Sequence, residues 1–247
     1  MPAIEVEGVA KSFRIPGVRR DTVREHLLGL LRPRSSELLR VLDGVSFAVE
    51  PGETVAIMGR NGSGKSTLLK IVCGIYRPDR GRVLLEGGIS PVLELGLGWN
   101  PELDARDNVL LVGTVMGLTL REARAIVGEV LAFAEVERFA RLPLKHYSSG
   151  MAARLAYAIA FCAPRDLLVL DEIFAVGDAA FRARCEARYR ELKAEGRTVL
   201  LVSHDPHVVA TYCDRAVLLE GGRIVEEGRG QRVAAAYLGL LSAAPGA

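Results

Sequence analysis

Gly59-Arg60-Asn61-Gly62-Ser63-Gly64-Lys65-Ser66 separates two stretches of different periodicity. Before it, Thr54-Val55-Ala56-Ile57-Met58 is a short apolar run that reads as a buried strand; after it, Lys65 to Cys73 has helical spacing. Strand, glycine-rich turn and helix in that order read as α/β architecture. The turn fits G-x-x-x-x-G-K-[ST] at every fixed position. Glycines let successive backbone N–H groups curl round phosphate oxygens without side-chain obstruction, and the helix N-terminus adds a favourable dipole. Lys65 is then placed to reach β- and γ-phosphates, and the Ser66 hydroxyl to ligate Mg²⁺. Thr67, next along the helix, is counted with Gly59 to Ser66 as nucleotide-binding. The competing reading, a glycine-rich turn with a chance lysine, leaves the flanking strand and helix unexplained.

Further along, Leu167-Leu168-Val169-Leu170 is an apolar strand that ends in Asp171-Glu172, which sets two acids at the carboxyl edge of a sheet. Asp171 is the candidate to hold Mg²⁺ through its water shell and Glu172 the candidate general base for an attacking water. Acids after a strand are also ordinary helix N-caps, and either alone reads equally well so. His204 follows the apolar run Thr198 to Val202 and Ser203, so it emerges at the end of another buried strand, in reach of a γ-phosphate or in a structural hydrogen bond.

Two apolar runs, Leu167 to Leu170 and Thr198 to Val202, read as parallel strands, with Ala179 to Ala194 as the helical crossover between them. Asn108 to Phe139 has helical periodicity and few turn residues, and reads as a helical lobe extending over about 104–163. Alternation at Ile4, Val6 and Val9, and again at Val45, Phe47 and Val49, predicts strands of a half-exposed antiparallel sheet. Between them, Arg14 to Arg40 carries seven arginines against Asp21, Glu25 and Glu37, with Val23, Leu27, Leu28, Leu30 and Leu31 at helical spacing. That segment reads either as a solvated helix covering a sheet edge or as a surface touching lipid headgroups or a membrane partner.

The net charge of +2 over 247 residues gives no ground for nucleic-acid binding. Four scattered cysteines, with no Cys-x-x-Cys pair, read as reduced thiols. The start, Met1-Pro2-Ala3-Ile4-Glu5, has no leader character, and no window approaches the roughly 18 to 20 apolar residues that span a bilayer. Any membrane role is therefore expected to be peripheral. Residues 1–241 read as one domain, and the small residues and proline after Leu241 as a frayed tail.

Tyr147-Ser148-Ser149-Gly150-Met151 precedes the Asp171-Glu172 strand at the separation used for the L-S-G-G-Q signature of the ATP-binding cassette family, which the chain resembles from residue 3 to about 230. Ser148 and Gly150 keep the pattern; Tyr147, Ser149 and Met151 depart from it. The resemblance implies a P-loop NTPase fold with a mostly parallel core sheet, an N-terminal antiparallel β subdomain and a helical lobe. It also implies a homodimer with two ATP molecules and Mg²⁺ between subunits, Ser148, Ser149 and Gly150 facing the ATP of the partner. Small residues and free N–H groups at a helix start suit an anion on independent grounds, although Ser-Ser-Gly alone reads as a plain helix cap. Phe13 resembles the aromatic that stacks on adenine, Gly177-Asp178 the loop crossing the dimer interface, and His204 the switch histidine. The single glutamine is Gln231, so the glutamine that usually links the Mg²⁺ site to the membrane subunit has no counterpart before the signature, and Glu94 is the candidate for its place.

Glu94-Leu95-Gly96-Leu97-Gly98-Trp99, Pro101-Glu102-Leu103 and Asn108, with Ala175-Val176-Gly177-Asp178, resemble ATPase subunits of exporters of lipid-linked O-antigen, capsule or teichoic acid chains. The basic insert after Phe13 also resembles that group, in which the ATPase lies near lipid headgroups. The resemblance implies an integral membrane permease as partner and a peripheral place on the cytoplasmic face of the bacterial inner membrane. Some members carry a C-terminal carbohydrate-binding domain, for which a chain ending at Ala247 has no room; this is then a member without it or a shortened form. The rival readings are a soluble ABC ATPase of an assembly or repair machine and a P-loop metabolite kinase. Most forms of the first are disfavoured by the lack of a long coiled coil, of a second cassette and of a strongly basic domain; a single-cassette soluble assembly factor stays open. The second leaves residues 147–151, 177–178 and 204 unexplained.

Overall fold

The computed structural model describes residues 1–16, 36–92, 98–163, 166–171 and 178–243. Strand β1 (Ile4–Pro16) pairs antiparallel on one side with β2 (Ser36–Val49) and on the other with β4 (Arg80–Leu85). The larger sheet holds β3 (Thr54–Met58), β5 (Ile89–Val92), β6 (Leu167–Asp171), β7 (Thr198–Ser203), β8 (Arg215–Glu220) and β9 (Arg223–Arg229) in the order β5-β6-β7-β3-β8-β9. Every pairing in it is parallel except β8 with β9. A mostly parallel core sheet beside a small antiparallel one is the architecture expected from the sequence.

Every residue of β3 and β7 is buried, because both faces of the sheet are covered. Side chains alternate between those faces. Leu167, Val169, Leu200, Val202, Val55 and Ile57 enter one core with Leu68 and Leu69 of α1 (Lys65–Val72) and with Ile4, Val6, Val45 and Phe47 of the small sheet. Leu168, Leu170, Val199 and Leu201 face the other way, onto Phe181, Cys185, Tyr189 and Leu192 of the crossover helix α5 (Ala179–Ala194). Spacings of four, four and three residues put those four on one stripe of α5. Ala56 and Met58 pack with Val209 of α6 (Pro206–Tyr212) and Val233 and Tyr237 of α7 (Gly230–Ala243).

The helical lobe is built from α2 (Ala105–Val115), α3 (Leu120–Ala134) and α4 (Ser149–Cys162) around Val109, Val112, Val130, Leu131, Leu155 and Ile159. The helix starts are set by side chains. Asp104 accepts from the Asp107 amide, and Thr119 forms a capping box with Glu122.

Two boundaries differ from the sequence reading. The strands run into the arginine-rich segment, since Arg14 pairs with Leu38 and Pro16 with Ser36; charged residues at exposed strand positions weaken the alternation that marks a strand and so hide both ends inside the insert. Residues 17–35, where a helix is expected, lie outside the described residues. Helix α7 also continues through Ser242 and Ala243, whose small side chains carry no stop signal, and Ser242 Oγ donates to the carbonyls of Leu238 and Gly239.

Candidate nucleotide site

Strand register brings the chemically suggestive residues to one edge. Met58 is level with Ser203 across β3 and β7, and Asp171 with Val202 across β6 and β7. The phosphate loop therefore leaves the sheet where β6 ends in Asp171 and β7 turns into His204. Glu172 follows Asp171 in the chain; like Glu94 and Gly177, it lies outside the described residues. His204 is exposed in a tight turn: the Asp205 amide donates to Ser203 Oγ at 3.0 Å, and Asp205 caps α6 by accepting from the His207 amide at 2.8 Å.

The loop from Gly59 to Gly64 lies tightly against its surroundings at two points. A Cβ on Gly59 would stand 2.2 Å from the Leu219 carbonyl oxygen. Gly64, at φ +106°, has room for none either, with the Val41 carbonyl oxygen 2.8 Å from where it would be. Lys65 is buried, and its ammonium donates to the carbonyls of Gly59 and Arg60, at 2.8 Å each, so it lies over the loop rather than out in solvent. Arg60, Asn61, Gly62 and Ser66 are exposed and Thr67 is half-buried. Ser63 Oγ is buried and, among the described residues, has no hydrogen-bond partner, which costs free energy unless something polar meets it. An orphaned hydroxyl beside a buried ammonium at a helix N-terminus fits a polyphosphate and Mg²⁺.

Phe13 meets Tyr76 edge to face at 5.7 Å, and the Lys11 ammonium lies 5.6 Å from its ring centre. Lys11 is itself held by Asp79 at 2.9 Å, and the Ser12 amide by the same carboxylate at 2.7 Å. The aromatic thus has a fixed seat on β1, beside the loop that follows α1.

Ser148, Ser149 and Gly150 are exposed at the start of α4, while Tyr147 and Met151 pack on the helical-lobe core. Ser148 accepts from the Met151 amide at 3.2 Å, so it is an N-cap. Within one chain these residues belong to a different core from the phosphate loop. Asp178 caps α5 by accepting from the Phe181 amide, and it is tied to α4 by Arg154 at 2.5 Å. Arg154 also grips Glu135 at 2.5 Å and lies 5.3 Å from the Phe181 ring. The Phe181 amide and then Arg154 hold the Asp178 carboxyl below the usual carboxylate range. Arg184 and then Arg154 do the same for Glu135. Burial pushes the thiols of Cys73, Cys162, Cys185 and Cys213 up to about 12, so all four stay protonated and inert at neutral pH.

Sequence reasoning placed Ser63 among the nucleotide-binding residues but did not foresee the burial of its hydroxyl, and it missed the Arg154 fork. The fork had a faint signal, arginine at the second turn of a helix otherwise made of small and apolar residues. The burial of the Ser63 hydroxyl had none, because it is a fact of tertiary packing.

Residues 42–175 match the ABC transporter family. The chain is 40% identical over 250 residues to the O-antigen export system ATP-binding protein of Myxococcus xanthus, covering 99% of this chain and 57% of that protein. It is 41% identical over 196 residues to the O-antigen export system ATP-binding protein of Klebsiella pneumoniae, covering 79% of this chain and 80% of the relative. A bacterial ABC transporter cassette solved as a dimer superimposes with a TM-score of 0.71 at 25% identity, over 92% of this chain and 98% of that one. With its phosphate loop, its acid-ended strand and its helical lobe in place, the chain belongs to the ABC transporter family as one of its ATP-binding cassettes.

Proposed function

We propose that this chain is the ATP-hydrolysing subunit that powers export of a lipid-linked polysaccharide through a separate integral membrane permease, with residues 1–241 as one ATP-binding domain. It works as a homodimer on the cytoplasmic face of the bacterial inner membrane. The observation that carries this reading is the division of the site between two cores: one edge of the sheet holds the phosphate loop, Asp171 and His204, while the exposed Ser148–Gly150 helix start stands on the helical lobe. Two copies placed head to tail would complete each other; the cassette it superimposes on was solved as a dimer. The names of the Myxococcus and Klebsiella relatives supply the export class. Among the described residues no helix is long and apolar enough to cross a membrane.

In this reading, Lys65 and the amides of residues 60–66 neutralise the phosphates, Ser66 and, through water, Asp171 hold the Mg²⁺ that offsets phosphate charge, and Glu94 stands where the family glutamine would. Glu172 takes the proton of the attacking water, His204 senses the γ-phosphate, Phe13 stacks on adenine, and Gly177-Asp178 cross the interface. The start of α4 suits a γ-phosphate because Ser148, Ser149 and Gly150 are small and exposed there and its first turn carries no acid. Residues 14–40 would touch lipid headgroups: at its described ends, Leu38 and Leu39 are 61% and 49% exposed beside Arg14 and Arg40.

The deciding experiment is light scattering of Glu172→Gln with and without ATP and Mg²⁺. Loss of the base with retention of the nucleotide should trap a stable ATP-dependent dimer. A monomer with undiminished hydrolysis would overturn the composite site.

A further inference from the structure

Asn108, on the first turn of α2, is fully buried. Its Oδ1 accepts from the Asn100 amide at 2.9 Å, while its Nδ2 faces the carbonyls of Asn100 at 3.0 Å, Leu103 at 3.1 Å and Asp104 at 2.8 Å. Two N–H groups shared among three carbonyls close the loop from Asn100 to Asp104 against the helix start. The other side of that loop is bonded to a second segment. The Leu144 amide donates to the Leu103 carbonyl and the Lys145 amide to the Pro101 carbonyl, both at 3.0 Å, and Asp104 bridges to Pro143. Lys145 also meets Glu102 at 2.6 Å, an exposed pair that adds little by itself. From Lys145 the chain runs straight into Tyr147, whose amide donates to the Leu144 carbonyl and whose hydroxyl donates to the Phe139 carbonyl at 2.9 Å; Ser148 then caps α4. Fixed hydrogen bonds therefore run without a break from Asn108 to the start of α4.

A buried carboxamide with every polar atom used is expensive to disturb, since any change leaves buried partners unpaired. We infer that Asn108 is a positioning residue for the composite ATP site: through the 100–104 loop and the 143–145 segment it fixes the angle at which Ser148 to Gly150 meet the nucleotide of the partner subunit. The inference rests on the proposed role of residues 147–151. It sets up a split that plain stabilisation would not. A chain's own phosphate loop lies on another core, so loosening the 100–104 loop should spare nucleotide binding by the monomer and weaken ATP-driven pairing.

The test is Asn108→Asp, which keeps the shape but puts one oxygen in place of the Nδ2 that faces three carbonyls, in the Glu172→Gln background. Expected is a rise of about tenfold in the ATP concentration that half-saturates dimerisation, with binding of a fluorescent ATP analogue to the monomer essentially unchanged. Unchanged dimerisation, or equal loss of both, overturns the inference. Failure of the Glu172→Gln parent to dimerise overturns the proposed function, and the inference with it. Should Asn108→Asp not fold, Glu102→Cys with Lys145→Cys, oxidised to a cross-link in the otherwise natural chain, decides: hydrolysis with kcat and KM preserved means the two segments work as one body, and loss of hydrolysis on cross-linking means they must part.

Discussion

Ser63 carries, at the level of a single atom, a buried hydroxyl that a bound phosphate is proposed to satisfy. Its hydroxyl is buried and, among the described residues, meets no hydrogen-bond partner. Such a group costs about 1 kcal/mol or more of stability in the absence of something polar beside it. Ser63→Ala is therefore expected to raise the nucleotide-free unfolding free energy by about 1 kcal/mol in a urea titration and to weaken ATP binding in a calorimetric isotherm. A variant that loses stability would mean that the hydroxyl is satisfied. Gly64 is the opposite case, a residue that cannot be replaced cheaply. Alanine there would adopt φ +106° and press on the Val41 carbonyl, so Gly64→Ala should cost about 2 kcal/mol in the same titration.

Helix starts give a comparison at the level of elements. Ser148 caps α4 and Thr119 caps α3, each accepting from an amide at 3.2 Å. Ser148→Ala and Thr119→Ala should each lower stability by about 1 kcal/mol in thermal or chemical unfolding. Only the first should reduce ATP-driven dimerisation and hydrolysis, because of these two helix starts only that of α4 is proposed to face a nucleotide. If Thr119→Ala reduces hydrolysis as strongly, loss of the cap alone explains both. Arg154 acts between elements, since one guanidinium joins α4 to the end of α3 at Glu135 and to the start of α5 at Asp178.

Arg215 ties the whole molecule together, from the larger sheet to the smaller. It donates to Glu53 at 2.9 Å, to the Ala48 carbonyl on β2 and to Glu227 on β9. Burial works to raise the Glu53 pKa, but the Arg215 hydrogen bond and the Glu50 amide outweigh it, and the net shift is downward. A lowered carboxyl contributes stability that is complete above its unfolded value, about 4.3, and is lost as pH falls through the folded value below it. Arg215→Met should cost about 2 kcal/mol at neutral pH, and its unfolding free energy should fall less steeply than that of the natural chain between about pH 5 and 3. Denaturant titrations at several pH values measure both. Parallel slopes in the two proteins would show that the pair is not what acid breaks.

The strand, turn and helix around Gly59 to Ser66 were legible because each signal is local: an apolar run, glycines that permit the turn, and a helical period straight after it. The buried runs at Leu167 and Thr198 were legible for the same reason, since a strand covered on both faces has no polar positions to mask it. The outer strands were read too short, because exposed arginines at Arg14 and Arg40 interrupt an alternation that backbone pairing does not need. What the tertiary structure alone decided is which groups meet. Register set Met58 level with Ser203 and Asp171 with Val202, and packing buried Asn108 among carbonyls that come from its own preceding loop. Periodicity follows from the order of side chains along one segment, whereas a hydrogen bond between segments depends on where each of them is carried by the packing of all the rest.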